Sequence, residues 1–142
     1  MTDFSKLMED PSFTYGIDVS HWQDYEQYTE NMRETYAAGY RFCIIKATDG
    51  GGVDEDLKQN FDLAAEAGMI VGFYHYFRNN KNLTGKQQAE HFLNTINPYV
   101  EQLPGCLPHF IDVERYYNRM GMQSYNTGQI KSWLDTISEN HK

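Results

Sequence analysis

The tetrapeptide Ile111-Asp112-Val113-Glu114 sets two acids two residues apart near the end of an apolar run that begins at Pro108. On an extended strand, residues i and i+2 leave the same face, so both carboxyl groups project together. Crowding of like charges raises the pKa of one of them, leaving one acid protonated near neutrality while the other is anionic. Cleavage of a glycosidic bond needs that division: an acid to protonate the leaving oxygen, and an anion to stabilise or attack the developing oxocarbenium ion. Read alone, a D-x-E pair fits a solvated strand end or a metal-binding pair equally well. A third acid, Asp18, leaves the end of an earlier apolar run, and in a barrel that position opens on the same mouth as the Asp112 strand.

Other chemistries find less support. No EF-hand or P-loop spacing is present, and His21, His75, His91, His109 and His141 form no zinc pattern, so no metal site is expected. His91, on a helical stretch, reads as a packing or surface residue. Gly50-Gly51-Gly52 lacks the spacing of a nucleotide fingerprint and reads as a flexible loop above the pocket, and Ser20-His21 lacks a nucleophile elbow. Cys43 lies in an apolar run and Cys106 in a Pro/Gly loop, which suits two free thiols, the first a small core residue. A net charge of −8 without a basic cluster argues against nucleic acid. No stretch of about 18 apolar residues exists to enter a membrane. The segment Met1 to Asp10 lacks the basic and apolar parts of a secretory signal, so another agent is expected to deliver the protein to any target outside a membrane. The 11 Tyr, 8 Phe and 2 Trp argue against disorder; most of these rings are expected in the core, and the remainder suit the apolar face of a pyranose.

The elements that must position the acids follow a regular order. After a polar lead over residues 1–13, a single domain over 14–142 alternates strand and helix four times. Strands are expected at Tyr15 to Ser20, Arg41 to Ala47, Met69 to Phe77 and Pro108 to Val113. Helices are expected from about Glu26 to Ala38, Leu57 to Ala67, Lys86 to Ile96 and Thr127 to Asn140. Gly39 and Gly68 suit left-handed caps, and Asn97-Pro98 is expected to close the third helix. This alternation implies an α/β fold with a parallel sheet and right-handed crossovers, either doubly wound or a barrel. Polar residues gather where the strands finish (Asp18, Ser20, Lys46, His75, Tyr76, Asp112, Glu114), as they do in barrel enzymes and also in open sheets.

Together these segments resemble the glycoside hydrolase family 25 lysozymes, the Chalaropsis-type muramidases. Tyr15-Gly-Ile-Asp-Val-Ser-His-Trp-Gln23 is similar to the family's opening strand, and Phe42-Cys-Ile-Ile-Lys-Ala-Thr-Asp-Gly50 to its second, where Glu often stands in place of Asp49. Asn60 through Phe77, Gln88-Ala-Glu-His-Phe-Leu93 and Pro108-His-Phe-Ile-Asp-Val-Glu114 resemble its second helix and third strand, its third helix and its fourth strand. The resemblance runs from about Tyr15 to the C-terminus. It implies an irregular β/α (TIM-like) barrel, here its first four βα units, with Glu114 as general acid and Asp112 stabilising the transition state or orienting the N-acetyl group. Asp18 would be a further acid in the groove, with Lys46, Tyr74, Tyr76 and Trp22 as substrate contacts. The implied reaction is hydrolysis of the β-1,4 bond between N-acetylmuramic acid and N-acetylglucosamine in peptidoglycan, with no cofactor.

Family members continue further, through strands that close the barrel. A half barrel exposes sheet edges and inner apolar surface, which leaves three expectations: a truncated product, part of a split enzyme, or a subunit completed by a partner chain or by its own copy. A non-catalytic glycan-binding or structural module, in a phage particle for instance, is a different class of reading. A hydrolase of chitin-like glycans also carries a D-x-E strand, but Gly16-Ile-Asp-Val-Ser20 fits the lysozyme pattern better. The expected place of action is the extracellular cell wall, reached as a phage endolysin or a virion-borne lysin.

Overall fold

The computed structural model describes residues 11–23, 31–79, 82–115, 117–118, 121–122 and 126–140. The start of the polar lead, the expected beginning of the first helix and His141 lie outside them. The elements are β1 (Gly16–Val19), α1 (Asn31–Ala37), β2 (Phe42–Asp49), β3 (Gly52–Val53), α2 (Leu57–Glu66), β4 (Ile70–Tyr76), α3 (Gly85–Val100), β5 (Phe110–Asp112), β6 (Tyr117–Asn118), β7 (Gly121–Met122) and α4 (Thr127–Asn140).

The long strands pair in parallel in the order β1-β2-β4-β5, with β3 antiparallel to the end of β2, while β6 and β7 form a separate small ribbon. Successive βα units therefore add their strands on one side without reversal. A doubly wound sheet reverses its order at a switch point, so this winding is that of a barrel, of which the chain forms a part.

Alternation along β2 and β4 sends Cys43, Ile45 and Ala47, and Val71, Phe73 and His75, to a common face that is fully buried. The helices cover it. Phe61 of α2 stacks on Phe73 at 6.3 Å, Phe92 of α3 meets the His75 ring edge-on at 6.1 Å, and Trp133 of α4 lies flat on His75 at 5.7 Å. Each of these buried rings removes some 150–250 Å² from water, so they carry much of the core's stabilisation. Two helices approach closely at Gly85, where a Cβ would stand 1.8 Å from the carbonyl oxygen of Gln129; only glycine lets α3 and α4 come that near.

Local signals fix most ends. Gly39 (φ 111°) and Gly68 (φ 82°) take the left-handed conformation just past α1 and α2, as their positions suggested. Thr84 caps α3: its hydroxyl accepts from Gln87 N at 3.2 Å while the Gln87 side chain accepts from Thr84 N at 2.9 Å.

Two expectations are corrected. The third helix does not stop at Asn97-Pro98 but runs through Pro98 to Val100. Proline there removes only one amide donor, the Asn97 carbonyl still accepts from Glu101 N at 3.1 Å, and Tyr99 packs at 4.9 Å against Phe61, so core contact outweighs the local penalty. The triple glycine is also no flexible loop: Gly50 turns with φ 55°, and its N–H donates to Tyr76 O at 3.0 Å, folding β3 back on β2 as a hairpin.

Candidate active site

The face of the sheet opposite the helices carries Ile44 and Lys46 of β2, Gly72, Tyr74 and Tyr76 of β4, and Phe110 and Asp112 of β5. The register sets Lys46 beside Tyr74, and Tyr76 between Asp49 and Asp112. Strict alternation would send Asp49 to the helix side, three residues after Lys46. A register shift between Lys46 and Thr48 prevents this, because the extra residue Ala47 makes Thr48 the partner of His75 and returns Asp49 to the open face.

At the C-terminal ends of these strands the open face sinks into a groove of about 480 Å³. Its floor is Lys46, Tyr74 and Tyr76; Asp49 and Arg78 close one part of it, Asp112 and Glu114 another, and His21 and Trp22 reach it from the turn after β1. Glu114, Asp112, Lys46, Tyr74, Tyr76 and Trp22 are thus brought together. Asp18 is exposed and borders a different cavity, of about 460 Å³, between β1 and the first two helices. Its charge still reaches Asp112, as shown below.

The two acids of the D-x-E segment sit in unlike settings. Asp112 is partly buried, and loss of water is the main cause that pushes its pKa up to about 6, followed by the charge of Glu114 and a hydrogen bond with it; Asp18 adds to the rise and Lys46 opposes it. Glu114 is exposed and accepts a hydrogen bond from the Tyr76 hydroxyl at 3.3 Å. Burial and the Glu114 charge in turn raise the Tyr76 phenol, so this hydroxyl stays a donor. Tyr74 is likewise held neutral by burial first and then by the charge of Asp18.

Beside the acids stands a salt-bridge cluster. Arg78 grips Asp49 with two parallel bonds, Nε to Oδ1 at 2.5 Å and Nη2 to Oδ2 at 3.0 Å, and Lys46 Nζ donates to Oδ2 at 3.0 Å. Burial alone would raise the Asp49 carboxyl, but the bonds from Arg78 and Lys46 outweigh it and hold the group below its ordinary value. Both cations also lie against the Tyr76 ring, Arg78 Cζ at 4.5 Å and Lys46 Nζ at 4.9 Å from its centroid. At the other wall, His21 Nδ1 donates to the buried Asp54 at 2.7 Å, and Asp54 also accepts from the His21 and Asp56 amides. The His21 ring meets Trp22 at 4.6 Å, and Trp22 remains 79% exposed, an open aromatic face at the rim.

Arg78, Asp49, His21 and Asp54 were not among the residues expected to form the site. Arg78 continues the alternation Tyr74, Tyr76, Arg78 and could have been found that way. Asp49 could not, because its facing depends on the irregularity at Ala47, and Asp54 lies beyond a hairpin whose path no periodicity reveals. His75 stands at a strand end yet points to the helices. Among the described residues no group of three or more His, Cys, Asp or Glu side chains could hold a metal ion, and no helix is long and apolar enough to cross a membrane.

Comparison with known proteins places these features in a family. A family model described as Glycosyl hydrolases family 25 matches residues 17–142. Lysozyme M1 of Streptomyces globisporus is 33% identical over 136 residues, covering 94% of this chain and 44% of that protein. Among solved structures, a bacterial lysozyme from Streptomyces coelicolor superposes with a TM-score of 0.65 at 32% identity, over 90% of this chain and 57% of its own. A muramidase from Acremonium alcalophilum does so with a TM-score of 0.70 at 26% identity, over 89% and 61%. The chain therefore spans under half the length of the curated relative and about three fifths of the two solved structures.

Proposed function

Because the chain belongs to glycosyl hydrolases family 25, we propose that its groove receives a peptidoglycan strand and that Asp112 and Glu114 cut the β-1,4 bond between N-acetylmuramic acid and N-acetylglucosamine. The observation that supports this reading most is that the two acids share one groove, with the proton affinity of one raised toward neutrality. On this reading Glu114, exposed and bonded by Tyr76, protonates the leaving oxygen, and Asp112 stabilises the positive charge that develops on the sugar or orients its N-acetyl group. In the open groove loss of water and the Glu114 charge raise the Asp112 carboxyl to about 6. A glycan laid across the two carboxyls would strip water from both and favour keeping one shared proton between them, which is the form an acid catalyst needs.

Asp18 adds negative potential at the end of β1, favouring the cationic transition state. Trp22 offers its ring to a sugar face, and Tyr74 and Lys46 line the floor below. The reaction needs no metal or organic cofactor, since acid, anion and water suffice. Its place of action is the bacterial cell wall; carriage by a phage particle or release as an endolysin would bring it there.

A second reading has its own observation. Ile70 and Phe110, on the open face of the sheet, are 51% and 39% exposed, a surface that further polypeptide, a partner chain or a second copy would cover. On this reading the chain binds glycan and turns it over slowly or not at all until the face is covered. One pair of measurements separates the two: loss of turbidity and release of reducing ends from purified cell walls, for the chain and for Glu114→Gln. Catalysis by Glu114 predicts a drop of about 10²–10⁴-fold in the variant. Equal lysis by both removes Glu114 from the mechanism, and glycan binding without reducing ends selects the binding module.

A further inference from the structure

Behind the groove, on the helix side of the sheet, lies a polar chain that the proposed reaction does not use. His75, Thr48 and Gln88 are all fully buried. The Thr48 hydroxyl bonds His75 Nδ1 at 2.7 Å, and His75 Nε2 bonds Gln88 Oε1 at 2.9 Å. With the amide oxygen of Gln88 accepting, Nε2 carries the proton and Nδ1 accepts from Thr48, so the imidazole is neutral and both of its nitrogens are satisfied. Gln88 then grips both polar groups of one backbone residue: its Oε1 accepts from Arg78 N at 3.1 Å and its Nε2 donates to Arg78 O at 2.9 Å, with a further bond to Leu83 O at 3.3 Å. A fully satisfied buried network of this kind fixes one arrangement, because any other leaves polar groups unpaired in the core.

One end of this chain is the neighbour of Asp49 in β2, and the other fixes the backbone of Arg78, one of the two residues that hold Asp49. Thr48 is the residue immediately past the irregularity in β2, and its bond to His75 joins the pair that the shifted register creates. A slip of one residue would put Ala47 opposite His75, leave the Nδ1 acceptor without a donor and turn Asp49 away from the groove. Arg78, fixed through its backbone by Gln88, is the residue whose guanidinium grips Asp49. We infer that Thr48, His75 and Gln88 are positioning residues: from the closed side of the sheet they lock the irregularity in β2 and the Arg78 backbone, so that Asp49, Arg78 and Lys46 clamp Tyr76, the residue that holds Glu114. This inference rests on the proposed catalysis only for its kinetic consequence, since the geometric claim stands by itself.

The test uses Thr48→Val, which keeps the shape and removes the hydroxyl, with Thr48→Ser restoring it; Thr48→Ala serves in place of Thr48→Val if the latter does not fold. Carbon-detected NMR follows the titration of the Asp49 carboxyl in each. Loss of the hydroxyl is expected to raise that titration toward the ordinary carboxylate range as the clamp loosens, and Thr48→Ser to return it to the wild-type position. On cell walls, kcat should fall by up to about 10²-fold with KM little changed, again restored by Thr48→Ser. A folded Thr48→Val or Thr48→Ala protein whose Asp49 titrates as in the wild type overturns the inference. If the wild type releases no reducing ends, the proposed function fails while the titration still decides the positioning claim.

Discussion

The two faces of β4 differ in every respect except their backbone. On one side Val71, Phe73, His75 and Phe77 are buried to within a few percent, and the single polar ring among them has each nitrogen paired. On the other, Gly72 is followed by Tyr74, Tyr76 and then Arg78, with a groove above them and charged partners on both neighbouring strands. A strand rigid on one face can present reactive groups on the other without having to fold around them. The closed face sets positions, and the open face carries the charges that those positions bring together.

That contrast is sharpened first by removing a fully buried ring of the closed face. Phe73→Ala should cost about 3–5 kcal/mol of unfolding free energy, read from urea denaturation; a loss under about 1 kcal/mol would show that this face is not the core. Next comes the buried imidazole. Burial pushes the His75 pKa down to about 4 from an ordinary 6.5, with the Gln88 bond opposing. The unfolded chain therefore takes up the proton first, so the stability tied to neutral His75 is whole above about pH 6.5 and is lost as pH falls toward 4, to a total of about 3 kcal/mol. His75→Gln should flatten that part of the pH profile, and an unchanged difference between pH 7 and pH 4.5 would contradict the burial.

The open face should behave in the opposite sense. Asp112, with its pKa raised to about 6 chiefly by loss of water and then by Glu114, opposes folding once it ionises. Whatever stability its protonated form contributes is present at low pH and lost as pH rises through 6. Asp112→Asn should consequently be more stable than wild type at pH 7, by about 1 kcal/mol or less given solvent screening, with the gain gone by pH 4. It should also lose glycan cleavage, so a variant both less active and less stable at pH 7 would break the proposed division of labour. The smallest effect belongs to Trp22→Ala: thermal unfolding within about 0.5 kcal/mol of wild type, but weaker retention on insoluble glycan.

Much of this layout was legible in the residues. The apolar runs of β2 and β4 and the glycines after α1 and α2 each depend on local periodicity or backbone chirality, which a single sequence displays, whereas β5 ends at Asp112 and leaves Glu114 past the strand on which the i, i+2 spacing is read. What stayed hidden depends on contacts between distant segments. Pro98 reads as a stop until Tyr99 is seen against Phe61, and three glycines read as loose until Gly50 is seen bonded to the end of β4. Asp49 is the clearest case, since counting by twos from Lys46 sends it to the wrong face and only the pairing with β4 reveals the extra residue.

The two tryptophans stand at opposite extremes of this architecture, Trp22 at 79% exposure on the groove rim and Trp133 at 1% against the His75 ring. The molecule thereby carries its own pair of optical gauges. A collisional quencher added to the medium would silence the first and spare the second, so one emission band reports on the rim of the groove and the other on the wall behind it.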